Sequence, residues 1–142
     1  MFQKILVAID GSDASLRAFE RAVDEARVWS ADLFVIYVIE TGMFSSIPLD
    51  NTLEVIYSLL EQEGTESLEY CRKTAEKGGV NLQTCTRQGH AGNEILKFAA
   101  EVSADLIVLG PHGRSEVDRL LLGSVTDHVV RHSPITTMVV RV

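Results

Sequence analysis

The residues best suited to chemistry lie between Gly110 and Thr126, which read Gly-Pro-His-Gly-Arg-Ser-Glu-Val-Asp-Arg-Leu-Leu-Leu-Gly-Ser-Val-Thr. Gly110 and Gly113 are three apart, nine residues follow, and Gly123-Ser124 then opens Val125 to His132, whose apolar positions recur at helical spacing. Glycine permits positive φ and lets backbone N–H groups approach a ligand closely, while Ser124 at a helix start leaves unpaired N–H groups and the positive end of a dipole facing outward. The chemistry that suits this arrangement is the holding of a phosphate group. Such a Gly-x2-Gly-x9-Gly-[Ser/Thr] spacing arises by chance in roughly 0.5% of chains of this length. The same residues also serve a fold without a ligand: Gly110 ending a strand, Gly113 making a turn, Gly123-Ser124 capping a helix. No Gly-x4-Gly-Lys-[Ser/Thr] loop is present, so the lysine that neutralises phosphate charge in P-loop enzymes is missing, and His112 and Arg114 are the positive groups beside the first glycines. Fast turnover is therefore not expected, and no residue is assigned as catalytic.

The elements that must position this loop can be read in order. Ala104-Asp-Leu-Ile-Val-Leu109 is a short aliphatic run that delivers the chain into it, and the central strand is placed at 105 to 110. Ile5 to Ile9 is a second continuous apolar run, ending in Asp10-Gly11-Ser12; Ser12 is a good N-cap, and Leu16, Phe19, Val23 and Ala26 form one helical stripe after it. Leu33 to Ile39 is a third. Glu40 to Asp50 mixes Gly, Ser and Pro with Met43, Phe44 and Ile47, and reads as a long loop, either a flap over a site or a disordered connection. From Asn51 to about Lys77 apolar residues fall at helical spacing, giving one long helix or two broken near Gly64. After Gly78-Gly79, Val80, Leu82, Thr84 and Thr86 alternate with Asn81, Gln83 and Arg87, which predicts an edge strand with one solvated face and Cys85 as the exception on it. Gly89-His90-Ala91-Gly92 turns the chain into a helix with Ile95, Phe98, Ala99 and Val102 on one face; His90 reads as a solvent-exposed turn residue. Pro134 introduces a last strand, Thr136 to Val142.

Strands alternating with helices predict an α/β fold: an open five-stranded parallel sheet with helices on both faces and right-handed crossovers. Apolar strands belong in the middle and the alternating third strand at an edge, which the order 3-2-1-4-5 satisfies. The first and fourth strands are then neighbours where the winding reverses, the place where open sheets bind ligands. Asp10 and Gly110 are expected to face each other across that crevice.

The 142 residues suit one domain, 1–142, and a core that needs no staples. Hydrophobic residues at 46% and charged residues at 23% are those of an ordinary globular protein. A net charge of −7 argues against nucleic acid as a partner, which calls for a basic footprint. Cys71 and Cys85 are too few and too far apart for a metal cluster and read as reduced thiols. The start Met-Phe-Gln-Lys lacks a signal-peptide layout and no apolar run nears the ~20 residues that cross a bilayer, so a cytoplasmic protein without a membrane partner is expected. Val139, Val140 and Val142 on a terminal edge strand, softened by Arg141, look suited to pairing with a second copy.

Ile5-Leu-Val-Ala-Ile-Asp-Gly-Ser12, Asp105-Leu-Ile-Val-Leu-Gly110 and above all Gly110-x2-Gly113-x9-Gly123-Ser124 resemble the ATP-binding branch of the universal stress protein family, over essentially the whole chain. The resemblance implies a Rossmann-like, adenine nucleotide alpha-hydrolase-like domain. It implies that Ile9 and Asp10 lie beside the nucleotide, that the backbone at Val38 meets adenine, and that Gly110 and Gly113 line ribose and phosphates. It further implies that Gly123, Ser124, Val125 and Thr126 hold the phosphates through N–H groups and hydroxyls, with His112 and Arg114 as neighbours. Implied as well are ATP or another adenine nucleotide with Mg²⁺ or Mn²⁺, and a homodimer through Thr136 to Val142. Pro111 departs from the small or polar residues common there; it removes one N–H donor and biases Gly110 toward extended backbone. The function expected is a nucleotide-dependent regulatory or stress-response protein with at most slow ATP hydrolysis. The alternatives are a ligand-free dimeric module of the same fold and a slow ATPase or phosphotransferase.

Overall fold

A computed structural model describes residues 1–41, 51–113 and 122–141. The chain runs β1 (Lys4–Ile9), α1 (Asp13–Trp29), β2 (Asp32–Glu40), α2 (Asn51–Lys77), β3 (Leu82–Gly89), α3 (Ala91–Val102), β4 (Leu106–Leu109), α4 (Ser124–His132) and β5 (Thr136–Val139). The five strands form one parallel sheet in the order β3-β2-β1-β4-β5. The expected α/β class and strand order are those observed, and β5 is shorter than the 136–142 expected.

Two apolar layers cover the sheet. Ile5, Val7, Leu33, Val35, Leu106 and Val108 point to the layer shared with α1 and α2, while Leu6, Phe34, Ile36 and Ile107 point to that shared with α3 and α4. This is the strand period of two with both faces buried, and it explains why β1, β2 and β4 read as unbroken apolar runs. At the amino end of the sheet the Asp105 carboxylate accepts the N–H groups of Gln3 (2.8 Å) and Lys4 (3.0 Å), tying the start of β1 to the entry of β4.

β3 lies at an edge, as expected, and its polar face is solvated at Gln83 but partly covered beyond it. Leu82 packs toward the α1–α2 layer and Cys85 toward the α3–α4 layer, and the Arg87 guanidinium lies 5.0 Å from the centre of the Phe98 ring, paired with Glu94 and Glu101. Cys85 is thus no exception: α3 covers its face, and Arg87 is half-buried by stacking its planar group on Phe98. Cys71 is fully buried on α2, and burial pushes its thiol up to about 12, so it has no thiolate character at neutral pH.

α2 is a single helix through Gly64. A Cβ there would sit 2.7 Å from Cδ1 and Cε1 of Tyr37, so the glycine exists to admit a ring from β2 rather than to break the helix. Residues 42–50, where a flap or disordered connection was expected, lie outside the described residues. Among the described residues, no helix is long and apolar enough to cross a membrane. Gly64→Val is expected to destabilise the fold by about 1–3 kcal/mol through overpacking against Tyr37, read as a lower urea midpoint at unchanged slope.

Candidate functional site

The carboxyl ends of β1, β2 and β4 open into a cavity of about 450 Å³, within the ~300–1,000 Å³ range of small-molecule clefts. From the first and second strands Ile9, Asp10 and Val38 line it. Gly110, His112 and Gly113 line it from the turn after β4, and Gly123, Ser124, Val125 and Thr126 from the start of α4. These are all the residues expected at the site except Arg114, which lies outside the described residues.

The glycines are small for reasons of space. Gly123 has φ −65° and neither Gly110 nor Gly113 has positive φ, so the expectation that this loop exploits the left-handed region does not hold. A Cβ on Gly110 would lie 3.1 Å from the Ala14 carbonyl oxygen, where the first turn of α1 rests on the end of β4. One on Gly113 would lie 2.6 Å from Asp10 Oδ2, and one on Gly123 3.0 Å from His112 Cα. Gly113 therefore makes room for the Asp10 carboxylate, and Gly123 for the returning loop, whose Pro111 carbonyl accepts the Gly123 N–H at 2.7 Å. Pro111 thus contributes its acceptor, and its missing N–H is no loss to this contact.

Three helices begin at the cavity, and their first turns are filled differently. In α1 the Ser12 hydroxyl accepts the Ser15 N–H at 3.2 Å, and Asp10 Oδ1 accepts the Ser12 N–H at 2.9 Å. In α3 the Glu40 carboxylate accepts the Ala91 N–H at 2.8 Å, and the His90 ring accepts that of Asn93 at 3.4 Å. His90 is exposed, as expected, but its role is that N-cap. In α4 the N-cap is Gly123, one residue earlier than Ser124, and no side chain caps it. Asp127 N–H makes the first intrahelical bond, to the Gly123 carbonyl at 2.8 Å. The N–H groups of Ser124, Val125 and Thr126 therefore face the cavity side with no side-chain cap among the described residues.

Thr126 is 5% exposed, and its hydroxyl donates to the Gly110 carbonyl at 2.8 Å. That bond joins the first turn of α4 to the end of β4, so the Thr126 hydroxyl is a structural tie. Ser124, by contrast, is exposed.

Several lining residues escaped the sequence reading. Ala8, Ile36, Ala91 and Ile95 add apolar surface, and Tyr37, Ile39 and Glu40 from β2 and Leu60 from α2 complete the lining. Ala91 and Ile95 were hidden because one helix face serves both core and cavity. The usable signal for Glu40 was its place as the charge that closes an otherwise apolar run at the carboxyl end of β2.

An open parallel sheet with helices on both faces, and a cavity at the winding reversal between β1 and β4, define a Rossmann-like α/β domain. The universal stress protein family matches residues 1–141, and the chain belongs to that family. It is 38% identical over 141 residues to Universal stress protein MJ0531 of Methanocaldococcus jannaschii, covering 99% of this chain and 83% of that one. Universal stress protein UspA from Lactobacillus plantarum superposes with a TM-score of 0.84 at 31% identity, over 99% of this chain and 98% of that one. A universal stress protein crystallised in complex with cAMP superposes with a TM-score of 0.71 at 29% identity, over 99% and 97% of the two chains.

Thr126→Val is expected to cost about 1–3 kcal/mol by leaving the buried Gly110 carbonyl without its donor, while Thr126→Ser stays close to wild type. Urea denaturation of the two variants measures the difference.

Proposed function

We propose that the cavity binds an adenine mononucleotide, ATP foremost, and that the chain acts as a nucleotide-dependent regulatory protein of the stress response in the cytoplasm. The observation that carries this reading is the first turn of α4, which no side chain caps among the described residues and which lines a cavity whose other two helix starts are already filled by side chains. A polyanion would supply acceptors to the N–H groups of Ser124, Val125 and Thr126 and complement the positive end of the helix. Ala8, Ile36, Val38 and Ile95 give the cavity an apolar wall that suits a flat base. The relative bound to cAMP supports an adenine nucleotide as the class of ligand.

The divalent cation would arrive with the phosphates. Among the described residues no group of three or more His, Cys, Asp or Glu could hold a metal ion. Asp10, beside Gly113, fits the usual Mg²⁺ pattern of one or two carboxylates completed by phosphate oxygens and water. The chain's own part is to seat and orient the nucleotide, with His112 at the loop. Asp10 already accepts the Ser12 N–H, which holds its carboxylate in place and favours a binding role over that of a base. Hydrolysis is accordingly slow at most.

Calorimetry with Mg-ATP is expected to show saturable one-site binding, and mass spectrometry of freshly purified, denatured protein to release an adenine nucleotide. Gly123→Val, which drives a side chain toward His112 Cα, should weaken Mg-ATP by about tenfold or more with an unchanged circular dichroism spectrum. No binding to the wild type, or equal affinity in the variant, rejects the site. Steady hydrolysis above about one turnover per minute that is lost in Asp10→Asn would instead make the protein an enzyme.

Among the described residues β5 bonds to β4 alone, which leaves its outer edge to pair with a second copy, and Val139 and Val140 there are only half-buried. A homodimer through this strand is the assembly we assign. Sedimentation at micromolar concentration should give about twice the 15.6 kDa chain mass, and a monomer at that concentration removes the assignment.

A further inference from the structure

Three imidazoles form a ladder across the seam between α3 and α4. His90 meets His128 edge-on, with ring centroids 5.3 Å apart and planes at 63°, and His128 stacks on His132 one turn later at 4.4 Å and 30°. Each ring is held: His128 Nε2 donates to Asn93 Oδ1 at 3.0 Å, His132 Nδ1 donates to the His128 carbonyl at 2.8 Å, and His90 caps α3. The seam has no slack, because a Cβ on Gly92 would lie 2.5 Å from His128 Cδ2. The first turn of α3 thus rests directly on the His128 ring.

The same two helix starts wall the cavity, α3 through Ala91 and Ile95 and α4 through Ser124, Val125 and Thr126. His128 follows Thr126 by two residues. Among the described residues few charges face it. On α4 itself these are His132 and Asp127, the latter held by the Arg131 guanidinium at 2.9 and 3.0 Å. From α3 come His90 and the neutral amide of Asn93, and β5, which α4 also touches, carries no titratable side chain in Thr136–Val139. Burial first, then His132 and His90, hold His128 below the usual imidazole value of 6.5, with Asp127 opposing them. The folded chain therefore binds fewer protons at this residue than the unfolded chain. Stability falls as pH drops through 6.5 toward the lowered folded value.

We propose that the His90–His128–His132 ladder is an acid-sensitive element of the nucleotide site: protonation of more than one ring sets like charges against each other across the α3–α4 seam and loosens the cavity wall, so that nucleotide is held less tightly on mild acidification. The inference rests on the nucleotide reading above and adds its regulation. Local repulsion acts on the seam itself, whereas the attraction of the same charges for phosphate acts over a longer path through solvent and is screened.

The test compares wild type with the double variant His90→Asn, His132→Gln. Asparagine is a good N-cap, and His128 keeps its contact with Gly92 and its bond to Asn93, so the seam stays packed. Calorimetry with Mg-ATP is run at pH 7.5 and 5.5 at fixed ionic strength; protonation of the ligand affects both proteins alike. The wild type should lose about fivefold or more affinity beyond the loss in the variant. Parallel losses, or a relative gain in the wild type, overturn the proposal. Thermal unfolding of the ligand-free proteins over the same pH step judges the ladder alone: the wild-type midpoint should fall further, and equal falls overturn it. Absence of Mg-ATP binding at pH 7.5 in both proteins, with the difference in unfolding preserved, would fault the nucleotide reading and leave the ladder as a proton-sensitive seam.

Discussion

The pairing of β1 with β4 is the constraint on which the site depends. These strands are distant in sequence, and their ladder, Ile5 to Leu106 through Val7 to Val108, is flanked by two further ties. At the amino end Asp105 accepts two N–H groups of the β1 entry; at the carboxyl end the first turn of α1 sits against Gly110. With both ends fixed, Asp10 and the loop after β4 share one crevice. Without that adjacency the glycines would be turn residues with nothing to surround.

Most of the fold could be read from the chain because its determinants are local and periodic. Unbroken apolar runs in β1, β2 and β4 come from burial on both faces, the stripe in α1 from burial on one, and the strand order follows from placing the most apolar strands centrally. What local pattern could not reveal was which neighbour each small or charged residue serves. Whether Gly64 broke the helix stayed open because nothing nearby in sequence announces that the Tyr37 ring needs its space. Arg87 looked solvated because its partners Phe98 and Glu101 arrive on a later helix.

The site shows the same division. The glycine spacing located the loop, and ten of the residues it and the family resemblance suggested do line one cavity, but one of the two reasons assigned to the glycines, positive φ, does not hold. They are needed for close approach to Ala14, Asp10 and His112, not for positive φ. The Thr126 hydroxyl also acts as a strut between helix and strand, a partner that its residue type does not announce. Such roles are set by tertiary partners, so residue type alone leaves them open.

Glu40 carries a consequence beyond capping α3. Its carboxylate lines the cavity from the end of β2, while that of Asp10 lines it beside Gly113, so two fixed negative groups share the pocket with the positive end of α4. Each is partly offset by a backbone N–H it accepts, from Ala91 and from Ser12. Such a pocket would sort anions by where along their length the charge falls, before any base-specific contact is considered.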